Sequence, residues 1–260
     1  MMRGLLTSAS GMLTQQTKIE VSSNNLANAN TSGFKKSRTN FQDLMYQTLV
    51  VAGAVTPDGS QIPTGIQMGM GAKLASVQKD FSQGDYVHTG NELDLAIEGK
   101  GFFKVLSGGA EYYTRAGNFS LDSEGYLTSP SGDRLQPEIQ VPSDAVTIST
   151  QSNGKVTVYG IGGQVLSEAQ ITLYTFTNPS GLYAIGKNLL SQSEGSGAPI
   201  EGTPGTNGIG SVSQGYLEMS NVSMVEEMVD LITGQRIYEA CSKSLQTVDS
   251  MLQTAVNTKR

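Results

Sequence analysis

The architecture of this chain is decided by one stretch, residues 23–36, which reads Ser-Asn-Asn-Leu-Ala-Asn-Ala-Asn-Thr-Ser-Gly-Phe-Lys-Lys. Asn and Gly are the residues that most readily adopt the left-handed backbone conformation with which helices end. The stretch therefore predicts that a helix stops here and that a tight turn follows it. The residues that define this predicted turn are Asn24, Asn25, Asn28, Asn30, Gly33 and Phe34.

Upstream of the turn, apolar residues recur at every seventh position. They are Leu5, Met12, Ile19 and Leu26. A seven-residue period is the pattern of a helix that packs along one stripe against another helix. Because Gly11 and the Asn cluster have low helix propensity, and because isolated helices are marginally stable, this helix should need a partner.

The other end of the chain supplies a partner with the same period. Its stripe consists of Met224, Leu231, Tyr238, Leu245 and Leu252. We therefore predict an α+β fold in which the N- and C-terminal heptad helices pair as a coiled-coil stalk and a mainly-β domain is inserted between them.

The middle of the chain carries strand and turn signals. Alternating apolar residues predict one hairpin from residues 93–97 and 102–105, and Asn153-Gly154 predicts another between residues 146–148 and 156–158. A third hairpin is predicted from residues 119–121 and 126–128, and a further strand covers residues 171–176. This part of the chain should therefore form the β domain.

Two Gly- and Pro-rich segments are predicted to be irregular. Residues 194–210 would be the return path to the C-terminal helix. Residues 53–71 could be either a flexible linker or an extended arm lying on a neighbouring subunit. The predicted domains are thus 1–34 with 216–260 (helical), 35–75 (an extended connecting segment) and 76–215 (the β-rich domain with its return linker).

The composition excludes some functions. With 17 Lys+Arg against 23 Asp+Glu, the chain has a formal charge of −6 and lacks the basic surface that nucleic acid or an anionic membrane requires. His88 is the only histidine and Cys241 the only cysteine, so a multi-histidine metal site, a histidine triad and an internal disulfide are not expected.

We accordingly predict a protein that is not an enzyme, with no catalytic, cofactor-binding or metal residues and no cofactor. The alternative is a cell-wall glycosidase that uses a carboxylate pair. The candidate pairs are Asp94 with Glu98 and Asp122 with Glu124, although their even spacing favours charges on a solvent-facing side of the chain.

Three motifs give the sequence a family resemblance. The turn at 23–36 with Phe41-Gln42-Asp43-Leu44, the segment 89–103 with 113–119, and the segment 215–239 together resemble the flagellar rod and hook axial proteins. The length and the Gly- and Pro-rich stretch after residue 46 are most similar to the distal rod members of that family. Another axial component, such as a proximal rod or hook-like protein, is the alternative within the family.

The resemblance implies a structural subunit that polymerises into a rigid helical tube and transmits torque from motor to hook. It implies self-association and contacts with other rod proteins, the hook protein and the surrounding ring proteins, without insertion into a membrane. The N-terminus lacks the apolar core of a secretory signal. The resemblance implies export by the flagellar type III apparatus to a basal body that spans the periplasm and cell wall, which would account for this absence.

Overall fold

The computed structural model describes residues 2–53, 63–206 and 208–257, which form two compact units. One unit comprises residues 1–26, 37–78 and 223–260, and the other comprises residues 27–36 and 79–222. The described residues contain two long helices and a mainly-β middle, so the α+β class predicted from the sequence is confirmed. The predicted domain boundaries at residues 34, 75 and 215 stay a prediction.

The first unit contains both long helices and two antiparallel ribbons. The helices are α1 (Met2–Ala27) and α2 (Met224–Asn257). The strands are β1 (Ser37–Asp43), β2 (Tyr46–Val50), β3 (Ile66–Gly69) and β4 (Ala72–Lys79). Strand β1 pairs with β4, and β2 pairs with β3.

The β2–β3 ribbon corrects the prediction that residues 53–71 are irregular throughout. Strand β3 lies within the Gly- and Pro-rich stretch 53–71, and its residue Ile66 is opposite Val50 in the ladder. Backbone pairing thus continues where composition alone predicted irregular structure. Residues 54–62 of that stretch lie outside the described residues.

The described residues of the second unit form sixteen short strands. Their bounds are β5 (Tyr86–His88), β6 (Leu95–Glu98), β7 (Phe103–Ser107), β8 (Ala110–Thr114), β9 (Ser120–Leu121), β10 (Leu127–Thr128), β11 (Arg134–Gln136), β12 (Ala145–Thr150), β13 (Lys155–Gly160), β14 (Val165–Gln170), β15 (Leu173–Thr175), β16 (Tyr183–Gly186), β17 (Leu189–Ser191), β18 (Ile200–Gly202), β19 (Ser211–Gln214) and β20 (Tyr216–Glu218). A 3-10 turn, Pro179–Gly181, separates β15 from β16.

The main sheet of this unit has the order β16-β17-β8-β7-β11-β10-β9, and a second sheet has the order β12-β13-β14. The remaining pairs are β15 with β18, β19 with β6, and β20 with β5. One buried apolar cluster includes Leu95, Phe103 and Val156, and a smaller aromatic cluster includes Phe102 and Phe176. Alternating apolar residues on these strands supply both clusters.

Two of the three predicted hairpins are confirmed and one is wrong. Strand β9 pairs with β10, and β12 pairs with β13 around the Asn153-Gly154 turn. Strand β6, however, pairs with β19, with Ile97 opposite Val212, and not with β7. The predicted irregular path 194–210 also contains β18, which is paired with β15.

Candidate assembly surfaces

The two long helices approach closely where each carries a glycine. A Cβ atom placed on Gly11 would lie 3.1 Å from Cys241 Sγ, and one placed on Gly234 would lie 3.1 Å from Ile19 Cγ1. The contacts pair early residues of α1 with late residues of α2, so the helices run antiparallel at this contact. Small residues allow this close approach because each glycine leaves room for the side chain opposite.

Polar contacts continue along the same helix pair. Lys18 Nζ lies 2.8 Å from Asp230 Oδ1, and Ser8 Oγ donates to Ser244 Oγ at 3.3 Å. The lysine and aspartate are both partly exposed, so this ion pair contributes at most about 1 kcal/mol. The polar contacts therefore fix the register of the helices more than they stabilise them.

The structure places the predicted stripes as follows. Leu5, Met12, Ile19 and Leu26 are half-buried along α1. On α2, Leu231, Leu245 and Leu252 are half-buried, whereas Met224 and Tyr238 are exposed.

Sequence reasoning missed two residues of α2 that are buried more fully than the predicted stripe. They are Glu227 and Gly234. Glu227 and Gly234 are seven residues apart, and Cys241 and Val248 continue the same spacing. A search for the seven-residue period could therefore have identified them. A stripe search restricted to apolar residues passes over them because one is charged and the other has no side chain.

A second face of α2 is apolar and exposed. Val225, Met228, Val229 and Ile232 are all at least half exposed. Their spacing of three and four residues puts them on one side of the helix. Apolar side chains are exposed on the β2–β3 ribbon too, and they are Tyr46, Leu49, Ile66 and Met68. The exposed apolar face of α2 is a candidate surface for contact with another protein chain.

Asn25 lies near the end of α1, where the predicted turn begins. It is buried, its side-chain nitrogen donates to Ser37 O at 2.9 Å and to Glu227 Oε1 at 3.1 Å, and its oxygen accepts from Ser37 N at 2.9 Å. One side chain thus links α1 to the first strand and to α2. Asn24 is exposed and Leu26 is half-buried.

The rest of the turn belongs to the second unit. Asn28 is half-buried, its backbone carbonyl accepts from Thr31 N at 3.1 Å, and Asn30 is exposed. Phe34 is half-buried, with Lys79 Nζ 5.1 Å from its ring centre. The turn motif therefore contains both packed and solvent-facing members.

Gly33 is required by conformation and by space. Its φ is +70°, a value that favours glycine, and a Cβ atom here would lie 2.5 Å from Ala116 N and 2.8 Å from Arg115 C. Its own N–H donates to Glu218 O at 2.8 Å. The Gly-Phe-Lys part of the motif is thus held directly against the backbone of the β unit.

A buried group of three charges lies behind this contact. Glu218 accepts from Lys35 Nζ at 2.6 Å through one oxygen and from Arg115 Nε at 2.6 Å through the other. Arg115 also donates to the carbonyl oxygens of Gly99 and Gly101, each at 2.6 Å. All three charged side chains are almost fully buried, so each depends on the others for its hydrogen bonds.

Burial is also the main influence on the titration of this group. It lowers the pKa of the Lys35 ammonium, while the carboxylate of Glu218 opposes that shift. It raises the pKa of the nearby Tyr86 hydroxyl to about 12, and the negative charge of Glu218 adds to the increase. Sequence reasoning quoted these charged residues within family motifs but did not bring them together.

The carboxylates considered for glycoside hydrolysis are held in local contacts. Asp94 accepts from Thr89 Oγ1 at 2.6 Å and is buried, so its prediction as a solvent-facing charge was wrong. Glu98 accepts from Ser213 Oγ at 2.7 Å. Glu124 lies 2.6 Å, and Asp122 3.8 Å, from Arg134 Nη2.

No group of three or more metal-ligand side chains occurs within residues 2–53, 63–206 and 208–257. Neither described helix has a stretch long and apolar enough to cross a membrane.

Three protein-family models match the chain. Residues 5–35 match the one described as flagella basal body rod protein, and residues 96–158 match the flagellar hook protein FlgE/F/G D1 domain. Residues 213–258 match the flagellar basal body rod FlgEFG protein C-terminal region. The matches include the helix with its turn, the central strands and helix α2.

Full-length relatives agree with these matches. The flagellar basal-body rod protein FlgG of Borreliella burgdorferi is 45% identical over 264 residues, covering all of both chains. FlgG of Caulobacter vibrioides is 46% identical, covering 97% of each chain. FlgF of the same organism is 34% identical, covering 97% of this chain and 96% of its own.

A chain with these matches belongs to the flagellar basal-body rod protein family. Within that family it is a structural subunit of the distal rod, since the FlgG proteins resemble it over their whole length. Its place is the flagellar basal body.

Proposed function

We propose that the chain polymerises into a rigid helical tube that transmits torque from the motor to the hook. Head-to-tail contacts that do not close into a ring generate such a filament. The observation that carries the proposal is the exposed apolar face of α2, consisting of Val225, Met228, Val229 and Ile232. Burial of each such side chain against a neighbouring subunit contributes about 1.5–3 kcal/mol.

In the assembled tube, α1 and α2 pack as a coiled coil through the predicted stripes. The close contacts of Gly11 with Cys241 and of Gly234 with Ile19 support a sustained helix pair. Each stripe residue contacts either the paired helix of the same chain or a helix of a neighbouring subunit. Met224 and Tyr238 contact the neighbouring subunit, because they are exposed in the single chain. Helices of low intrinsic propensity gain their order from this packing.

The β2–β3 ribbon is an arm that lies on a neighbouring subunit. Its exposed Tyr46, Leu49, Ile66 and Met68 favour this role over that of a passive linker. A two-stranded ribbon by itself is marginally stable in water, so a neighbouring surface would order it.

The chain acts without catalysis. The hydrogen bonds that hold Asp94 and Glu98, and the ion pairs of Asp122 and Glu124 with Arg134, support structural roles for these carboxylates. Its partners are other copies of itself, other rod proteins, the hook protein and surrounding ring proteins. Type III export without a cleaved signal brings it to the periplasm and cell wall.

Polymerisation is tested with Val229→Asp. A charge on the exposed apolar face should abolish sedimenting polymer and filaments in electron micrographs, while the circular dichroism of the monomer stays unchanged. The control is Val146→Asp, which places the same charge on a 64% exposed valine of strand β12, away from α2. Equal polymer yields from both variants and the unaltered chain would refute the proposed interface.

A further inference from the structure

A small cavity of about 200 Å³ opens beside the buried charge group of the β unit. Its walls come from strands and loops far apart in sequence. The residues that matter for its chemistry are Lys35, Phe81, Lys100, Phe102, Arg115 and Phe176. The remaining lining residues are Gly, Thr or Pro, so they add little bulk or charge.

The lining has a charge opposite to that of the whole chain. It contains three cationic side chains and no carboxylate, although acidic residues outnumber basic ones in the sequence, 23 to 17. Glu218 lies in contact with Lys35 and Arg115, and Asp80 also acts electrostatically on Lys35, so two carboxylates outside the lining offset these two buried cations. Lys100 on the exposed rim adds a further positive charge. A net positive potential therefore faces the cavity.

Lys35 is one of the cationic residues that line this cavity. Its ammonium has three N–H groups and donates to Glu218 Oε1 and to Ser82 O. Burial lowers the pKa of Lys35, while the charges of Glu218 and Asp80 oppose that shift, and a further negative group nearby would favour the charged form still more.

Three aromatic residues also line the cavity, namely Phe81, Phe102 and Phe176. The ring of Phe102 lies 5.4 Å from that of Phe81 and 5.9 Å from that of Phe176, both in edge-to-face geometry. Phe102 and Phe176 are almost fully buried, whereas Phe81 is half-buried. These rings suit an apolar stem that carries a negative group toward the cationic side chains of the same lining.

The size of the cavity indicates a single side chain as its occupant. Pockets for small-molecule ligands have volumes of roughly 300–1,000 Å³, and this cavity is smaller. One anchoring side chain in a well-packed pocket is a usual feature of contacts between proteins. From this charge, shape and volume, we propose that the pocket binds a glutamate side chain from another protein chain, its methylenes between the Phe rings and its carboxylate toward Lys35 and Lys100.

The experiment uses the isotope-labelled full-length chain, kept dilute enough to remain unassembled. The probes are N-acetyl-glutamate methylamide and N-acetyl-glutamine methylamide, which have the same shape and differ in charge. We expect the glutamate probe to cause saturable shifts in the backbone amide signals of Gly99, Lys100, Gly101 and Thr177. Raising the salt concentration should weaken this binding because it screens charge.

Two variants test the charged and the aromatic parts of the lining separately, and both keep the buried charges of Lys35 and Arg115. Lys100→Gln should weaken the glutamate probe about threefold to fivefold, the range of an exposed charge contact. Phe81→Ala should weaken it about tenfold because it removes one wall of the stem site. Lys187→Gln, an exposed lysine outside the lining, is the matched control and should leave binding unchanged.

Three results would overturn the proposal. They are equal shifts from the glutamine probe, equal binding of acetate, which lacks the stem, and unaltered affinity in both Lys100→Gln and Phe81→Ala. The amide spectra of the variants report whether each is folded. Because the measurement is made on the monomer, its failure leaves the polymerisation test unaffected.

Discussion

Asn25 and Ser37 are joined by two hydrogen bonds of 2.9 Å, one in each direction between the asparagine side chain and the serine backbone. Residues 26–36 lie between them in sequence, so the pair closes that segment into a loop. The same amide nitrogen also donates to the buried carboxylate of Glu227 on α2. One short side chain therefore connects three elements of the helical unit.

Asn25→Asp should destabilise this unit. The variant loses the amide donor and places a second carboxylate beside Glu227, where like charges repel. We expect a loss of about 2–3 kcal/mol at neutral pH, the cost of leaving buried polar groups unpaired. Chemical unfolding followed by far-ultraviolet circular dichroism measures it. Asn30→Asp, at an exposed turn position, should change stability little.

Gly33→Ala should disrupt the contact of the turn with the β unit. The added methyl group would overlap Ala116 N, at 2.5 Å, in addition to straining a backbone with φ of +70°. The matched control is Gly162→Ala, where φ is +87° and nothing lies within 4 Å. In both variants the strained backbone should lower the free energy of unfolding by about 1 kcal/mol. Only Gly33→Ala should lower it substantially further, as measured by thermal unfolding. Equal losses would show that the close approach is unimportant.

Glu218→Gln should be strongly destabilising. Lys35 and Arg115 would then be buried without the carboxylate that contacts both of them, and breaking such a pair typically costs about 3–5 kcal/mol. Glu168→Gln removes an ion pair with Lys155 in which both side chains are well exposed, so its cost should stay below about 1 kcal/mol. Denaturant unfolding of the two variants compares them directly. Similar midpoints would contradict a structural role for the buried group.

Tyr86 should make the protein sensitive to alkali. Its pKa is about 12 in the folded chain against 10.0 ordinarily, so above pH 10 the unfolded chain loses this proton first. The stabilising contribution is complete below about pH 10 and is lost as the pH rises toward 12. Tyr86→Phe should therefore flatten the fall in stability over this range. Tyr183→Phe, at a 70% exposed position, should not.

Gly11→Cys should cross-link the two helices. A Cβ atom at this position lies 3.1 Å from Cys241 Sγ, close to the about 3 Å between a Cβ and the partner sulfur in a disulfide. Mild oxidation of the monomer should give a faster-migrating band on a non-reducing gel, which reduction reverses. Leu13→Cys, at an exposed position of α1, should not form this internal link. Failure of the first variant to cross-link would mean that the helices do not pair before assembly.

The sequence by itself determined the elements whose signals are local. The seven-residue periods predicted helices at both ends, the Asn-rich stretch predicted where α1 stops, and Asn153-Gly154 predicted the β12–β13 hairpin. Each of these signals depends on residues within a turn or two of one another, so backbone preference and spacing are enough to detect them.

Only the tertiary structure decided which distant segments meet. Strand β6 pairs with β19 more than a hundred residues later, although the local pattern favoured a hairpin with β7. Glu218 joins Lys35 and Arg115, which are 183 and 103 residues away, into one buried group. Such partners are selected by the burial of a shared core and by the need of buried charges for neutralising contacts. Neither requirement produces a regular spacing of residues in the sequence, so neither pairing could be predicted from it.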